Sequence, residues 1–151
     1  MINNLAIEPS SVLSPEVNQL FSEHDDFIIG FLGTDSKHYT RYNTNENIHE
    51  VWIAYYDDKP VGCVAYRTKA QGVGELKRMF IKSEYRGRGI SKKLLAIVEE
   101  HAKLQGDNTL HLGTRITLEP AVTLYRNSGF IEKLRNGLYV EMEKKLGDNN
   151  E

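Results

Sequence analysis

The chain has 151 residues, 40% apolar and 26% charged, with 19 Lys and Arg against 21 Asp and Glu and a net charge of −2. That is enough chain for one domain with a core of its own, and the mix is that of a globular protein rather than a disordered one. A net negative charge leaves no global basic field for nucleic acid, so any anion site has to be local. The single cysteine, Cys63, excludes an intramolecular disulfide and fits a reducing compartment. The first residues, MINNLAIEPSS, lack the pattern of a secretory signal, and runs such as FIIGFLG (27–33) are too short to span a membrane. The expectation is a soluble cytoplasmic protein with one domain over 1–146 and a frayed tail, GDNNE, at 147–151.

In chain order, NLAI (4–7) reads as a short first strand ended by EPSS. A helix follows over 14–32, with Ser14 as N-cap, Pro15 in the first turn and Glu16 behind it; it is expected to break near Asp25 or Gly30. Residues 33–47 are polar, aromatic and irregular, and read as a long loop with room for a short helix. VWIAYY (51–56) and VGCVAYR (61–67), separated by DDKP, form a hairpin, and GELKRMFI (74–81) adds a third strand after the turn AQGVG. The apolar alternation in this third strand is mixed. Ile90, Leu94, Ile97, Val98 and Ala102 recur at helical spacing over about 90–105. NTLHLGT (108–114) alternates as a strand, and 119–129 is a short helix opened by Glu119 and Pro120 and closed by Gly129. FIEK (130–133) and LYVEMEK (138–144) are the closing strands around the turn RNG. A strand, a loop, a helix and a strand around residues 81–114 make a βαβ unit, so an antiparallel meander is followed by a parallel pair.

The most informative stretch is EYRGRGISKKLL (84–95). A strand ends at Ile81, and a helix opens near Gly89 or Ile90. The first amides of a helix have no internal partner and carry the positive end of its dipole. Gly87 and Gly89 let the backbone approach a ligand with φ above zero, and Arg86 and Arg88 add charge. The arrangement suits a phosphate, although it matches neither GxxxxGK[ST] nor GxGxxG. Alone, RGRG reads equally as an ordinary basic turn or an RGG-like RNA contact.

The surrounding residues add a resemblance. GELKRMFIKSEYRGRGISKKLL (74–95) resembles the central motif of the GNAT acetyltransferases, [Q/R]-x-x-G-x-[G/A], with Arg86, Gly89 and Ser91 in its three specified places. AVTLYRNSGFIEK (121–133) resembles the family's second signature, A-x-x-x-Y-x-x-x-G-F, through Ala121, Tyr125, Gly129 and Phe130. The likeness covers about 50–145 by motif and the first 50 residues by element order. Ser91 stands for the usual Gly or Ala, Ser83 for a frequent Pro, and Leu118 for an Asn or Gln that touches the pantetheine arm.

The resemblance implies an α+β fold with a central mixed sheet of six to seven strands and about four helices. It also implies transfer of an acetyl group from acetyl-CoA to an amine. The backbone amides of Gly87, Arg88, Gly89, Ile90 and Ser91 would bind the pyrophosphate, and Arg86 and Arg88 would add charge at the rim, helped by Lys92 or Lys93. The pantetheine would lie against Met79, Phe80 and Ile81, where a backbone amide would stabilise the oxyanion. Tyr125 would protonate the leaving thiolate; otherwise it is a core aromatic. Glu75, six residues before Ile81, would be the base; otherwise it is an exposed residue or part of an ion pair. A homodimer enters only by family analogy. A non-catalytic acyl-CoA-binding protein of the same fold is the competing reading.

The remaining candidates point less far. Cys63 and Trp52 read as core residues. The five histidines (24, 38, 49, 101 and 111) show no metal-ligand spacing, so no metal is expected; surface placement is expected for each, with His24 or His38 as candidates for an acceptor pocket. Glu23, Asp25, Asp26 and Asp35 with Tyr39, Arg41 and Tyr42 read either as a receptor for a cationic amine or as a solvated loop. No nucleic acid or membrane partner is expected.

Overall fold

The computed structural model describes residues 4–33, 45 and 47–147. The loop with room for a helix, including Asp35, His38, Tyr39, Arg41 and Tyr42, falls almost wholly outside the described residues, as does the tail beyond Gly147. Seven strands form one mixed sheet in the order β1-β2-β3-β4-β5-β7-β6. They are β1 (Leu5–Ser10), β2 (Glu50–Tyr56), β3 (Lys59–Ala70), β4 (Val73–Ile81), β5 (Thr109–Arg115), β6 (Ile131–Asn136) and β7 (Tyr139–Lys145). Three α-helices flank the sheet among the described residues: α1 (Pro15–Leu32), α2 (Ile90–Leu104) and α3 (Glu119–Asn127). None is long and apolar enough to cross a membrane.

The α+β class and the element order are as expected, with three differences. β1 continues through Glu8 and Pro9 to Ser10 rather than stopping at Ile7, because it is an edge strand paired only to β2, where a proline's missing N–H costs nothing. α1 does not break at Asp25 or Gly30. Val17, Leu20, Phe21, His24 and Ile28 keep one buried stripe through Asp25, and Gly30 faces open space, so only its weak helix propensity opposes continuation. β6 runs longer than expected, and every residue in it is exposed, so no buried face left a periodic signal.

The sheet has two faces. On one, α1 begins at Ser14, whose side chain accepts from the Val17 amide at 3.2 Å, and packs Val17, Leu20 and Phe21 against Val51, Ile53, Cys63, Ala65 and Phe80. On the other, α2 and α3 cover Val64, Tyr66, Leu76, Leu110, Leu112 and Met142 with Leu94, Leu95, Val98 and Tyr125. β4 and β5, the parallel pair, are in register only from Val73 to Glu75 against Thr109 to His111. Beyond Glu75 the two strands separate, and the candidate site lies in that opening.

Candidate active site

The mixed alternation of β4 has a structural cause. The β3–β4 register shifts between Cys63 and Ala65, and opposite that shift Arg78 adopts φ +57. The bulge turns Arg78 towards α1. There its Nη1 reaches Asp25 Oδ1 at 2.6 Å and His24 Nδ1 at 3.3 Å, and its Nε donates to Asn45 Oδ1 at 2.9 Å. The guanidinium also lies 4.8 Å from the Phe21 ring centre. A left-handed backbone is costly for a side-chain-bearing residue and persists only when its surroundings fix it. Here at least four contacts do so. Asp25 is thereby committed to a cation of its own chain, and Glu23 sits 3.6 Å from Lys82.

Past the bulge, the splayed strand ends open into a cavity of about 340 Å³. Met79, Phe80 and Ile81 form one wall, and Arg86, Gly87, Gly89, Ile90 and Ser91 form the mouth. Leu118, Ala121, Leu124 and Tyr125 close the opposite side, and His24 and Phe27 of α1 complete it. Gly87 and Gly89 sit at φ +78 and +79, and a Cβ on either would meet nothing within 4 Å. Backbone conformation rather than crowding therefore demands glycine there. Gly89 is the N-cap of α2, so the free amides of the first turn face the mouth. Arg86 is held by its Nε donating to the Ile81 carbonyl at 3.0 Å and by Phe27, 4.6 Å below the guanidinium.

Arg88, the ninth residue expected at the cofactor, does not line this cavity. Its guanidinium lies over the rings of Tyr56 and Tyr85, at 5.1 and 5.0 Å. Leu118 and Tyr125 both line the cavity, Leu118 with an apolar side chain.

A second, smaller cleft of about 70 Å³ opens from the same splay. Its walls include Glu75, Lys77, Arg78, Thr114, Tyr125 and Tyr139, and His24 again. His24, Met79, Leu118, Ala121 and Tyr125 border both spaces. Tyr139 reaches the cleft by lying across Gly113, where an added Cβ would overlap the phenol ring. Tyr125 is buried, its ring 5.7 Å from Phe130 in an edge contact.

Glu75 is the cleft's anion. It is neither fully exposed nor isolated: Arg67 Nε lies 2.5 Å from one oxygen and His111 Nδ1 lies 3.1 Å from the other. His111 continues through Nε2 to Glu141 at 2.7 Å, so Arg67, Glu75, His111 and Glu141 make a polar line across β3, β4, β5 and β7. Burial pushes the Glu75 carboxyl up, but the His111 hydrogen bond, then Arg67 and Lys77, outweigh it and hold the group at about 2. Burial pushes Lys77 down, against the pull of Glu75.

Two surface expectations fail for the histidines. His24 and His111 are 6% and 3% exposed. Both were readable: His24 shares the helical stripe of Leu20, Phe21 and Ile28, and His111 sits between Leu110 and Leu112 in a strand buried on both faces. Trp52 and Cys63 are core residues as expected, and burial pushes the Cys63 thiol up to about 12, which makes it an inert side chain. Arg78 left no sequence signal except the broken alternation, and Phe27 left none.

Comparison with known proteins identifies the family and the fold. Residues 17–130 match the model of the Acetyltransferase (GNAT) family. The IAA acetyltransferase of Azospirillum brasilense is 31% identical over 139 residues, covering 90% of each chain. The N-acetylaspartate synthetase of Xenopus tropicalis is 37% identical over 100 residues, 66% of this chain. The chain spans less than half the length of the two curated Xenopus tropicalis relatives it matches, 45% and 37%. A GNAT family acetyltransferase from Elizabethkingia anophelis, solved with acetyl-CoA bound, superposes with a TM-score of 0.69 at 20% identity over 95% of this chain and 99% of its own. The family model covers most of the chain and the Azospirillum brasilense relative nearly all of it, and the chain belongs to the GNAT acetyltransferase family.

Proposed function

We propose that the protein transfers the acetyl group of acetyl-CoA to a primary amine. The observation that carries this reading is the junction of the two spaces. A cavity of about 340 Å³, with a helix N-terminus at its mouth, meets a small polar cleft at Tyr125. The cofactor's pyrophosphate would sit on the backbone of Gly87 to Ser91 with Arg86 at the rim. The pantetheine would run along the unpaired edge of β4 at Met79 to Ile81. The cleft, with Glu75 in its wall, has room for the aminomethyl end of an acceptor.

In this reading the amine nitrogen attacks the thioester carbonyl carbon and a C–N bond forms. A backbone amide of the Met79–Ile81 segment donates to the resulting oxyanion. The C–S bond then breaks, Tyr125 gives its phenolic proton to the CoA thiolate, and the amide product and free thiol leave. Glu75 takes the proton from nitrogen. Its carboxyl, near 2, is too weak a base to strip a free alkylammonium. The transfer is therefore placed after C–N bond formation, when the nitrogen is cationic beside a tetrahedral carbon and much more acidic. The proton passes on through solvent and restores Tyr125, which closes the balance.

Thermal unfolding with acetyl-CoA, CoA and dephospho-CoA, followed by a thiol-release screen of primary amines, tests this. A ligand at 100 times its Kd stabilises by about 2.7 kcal/mol, a visible shift in Tm. No shift with any of the three overturns the reading. A shift without thiol release across amino acids, polyamines and peptides would leave the non-catalytic acyl-CoA-binding protein instead.

A further inference from the structure

His24 is 6% exposed and borders both the cofactor cavity and the small cleft. Its Nδ1 lies 3.3 Å from Arg78 Nη1. An arginine only donates, so Nδ1 accepts, and a neutral ring then carries its proton on Nε2. Burial first, and the Arg78 charge second, push the imidazole down to about 3, so the ring is neutral at physiological pH. Among the described residues Nε2 has no protein partner, yet it is not among the atoms sealed from space. A buried donor left unmade is costly, and the fold supplies nothing to satisfy this one except what enters the cavities.

The orientation is well determined. Arg78, fixed in its bulge by Asp25, Asn45 and Phe21, holds Nδ1, and the Phe80 ring lies 5.4 Å from the imidazole centre. This arrangement excludes His24 as the base, because one nitrogen is occupied and the other already bears its proton. It leaves a neutral, preset donor on a side chain that borders both spaces. The acetyl group, which passes from the cofactor to the amine, has to lie at the boundary between them.

We propose that His24 Nε2–H donates to the carbonyl oxygen of the acetyl thioester and to the oxyanion formed from it. The inference rests on the acetyl-transfer reading above. It adds a side-chain donor, aimed by Arg78, to the backbone donor of β4, and a donor fixed before the reaction needs no reorganisation as charge develops.

The test compares acetyl-CoA with CoA, which lacks the carbonyl, by calorimetry on the wild type, His24→Phe and His24→Gln. Phenylalanine keeps the packing and removes the donor; glutamine places an N–H near the position of Nε2. His24→Phe is expected to lose about tenfold in acetyl-CoA affinity, the scale of one hydrogen bond, with CoA affinity within about twofold. His24→Gln is expected to recover most of the loss. In the intact wild type, nitrogen NMR of the His24 ring should show Nε2 protonated and Nδ1 not, with a response to acetyl-CoA that CoA does not produce. An unchanged acetyl-CoA to CoA ratio in His24→Phe, or a proton on Nδ1, overturns the assignment while leaving the transferase reading intact. Failure to bind either compound overturns both.

Discussion

The larger cavity and the polar cleft share a border but are built differently. The mouth of the cavity is backbone: eleven consecutive residues, 81–91, supply the strand end, the two left-handed glycines and the helix start. The cleft is side chains gathered from α1, β4, β5, α3 and β7, with His24 and Tyr139 more than a hundred positions apart. The first kind of site tolerates change in side chains but not in backbone conformation. The second depends on each partner keeping its neighbour in place.

The sharpest break in this contrast is Gly89→Glu. It strains a φ of +79 and puts a negative charge where the helix amides should meet phosphate. CoA affinity should fall by more than about a hundredfold by calorimetry, while stability changes by only about 1 kcal/mol, since no neighbour is displaced. Retained affinity would remove the pyrophosphate from this loop.

Tyr125→Phe probes the border. Loss of a general acid should lower kcat about a hundredfold in a thiol-release assay, with CoA affinity within about twofold. An unchanged kcat would make Tyr125 a packing residue.

Glu75→Gln tests the cleft's dependence on paired charges. Arg67 and His111 each lose a charged acceptor, so stability should drop by about 2 kcal/mol in urea unfolding and turnover by about tenfold. The carboxylate's contribution is complete above its ordinary value of 4.5 and disappears as pH falls towards about 2. The wild type should therefore lose stability more steeply than the variant over that interval, and parallel acid limbs would refute the low value.

The smallest effect should be that of Arg88→Ala. Its guanidinium rests on Tyr56 and Tyr85 rather than in the cavity, so CoA affinity should change by less than about threefold, the worth of an exposed cation near phosphate. Arg86→Ala, which removes the side chain held at the rim by Ile81 and Phe27, should cost more, and the reverse order would exchange the roles given to the two arginines.

How much was legible follows the same division. The βαβ unit, the meander and the glycine loop came from residues near one another in sequence. The helical stripe of α1 was also present in the sequence, and it outweighed Asp25 and Gly30, which local propensity treats as breaks. The broken alternation of β4 was visible, but its meaning was not. A bulge is a relation between two strands, and only the shifted register against β3 shows that Arg78 turns towards α1.

The sequence by itself determined where backbone must be permissive and where helices and strands begin: Gly87 and Gly89, Ser14, Pro120 and the spacing of the apolar residues. These depend on each residue's own φ and ψ and on neighbours three or four positions away. Tertiary structure alone decided that Glu75 is tied to Arg67 and His111, that Arg88 is turned aside onto two tyrosines, and that His24 is buried with its Nδ1 against Arg78. Burial and pairing set the protonation and direction of a side chain, and both are properties of what the fold brings against it.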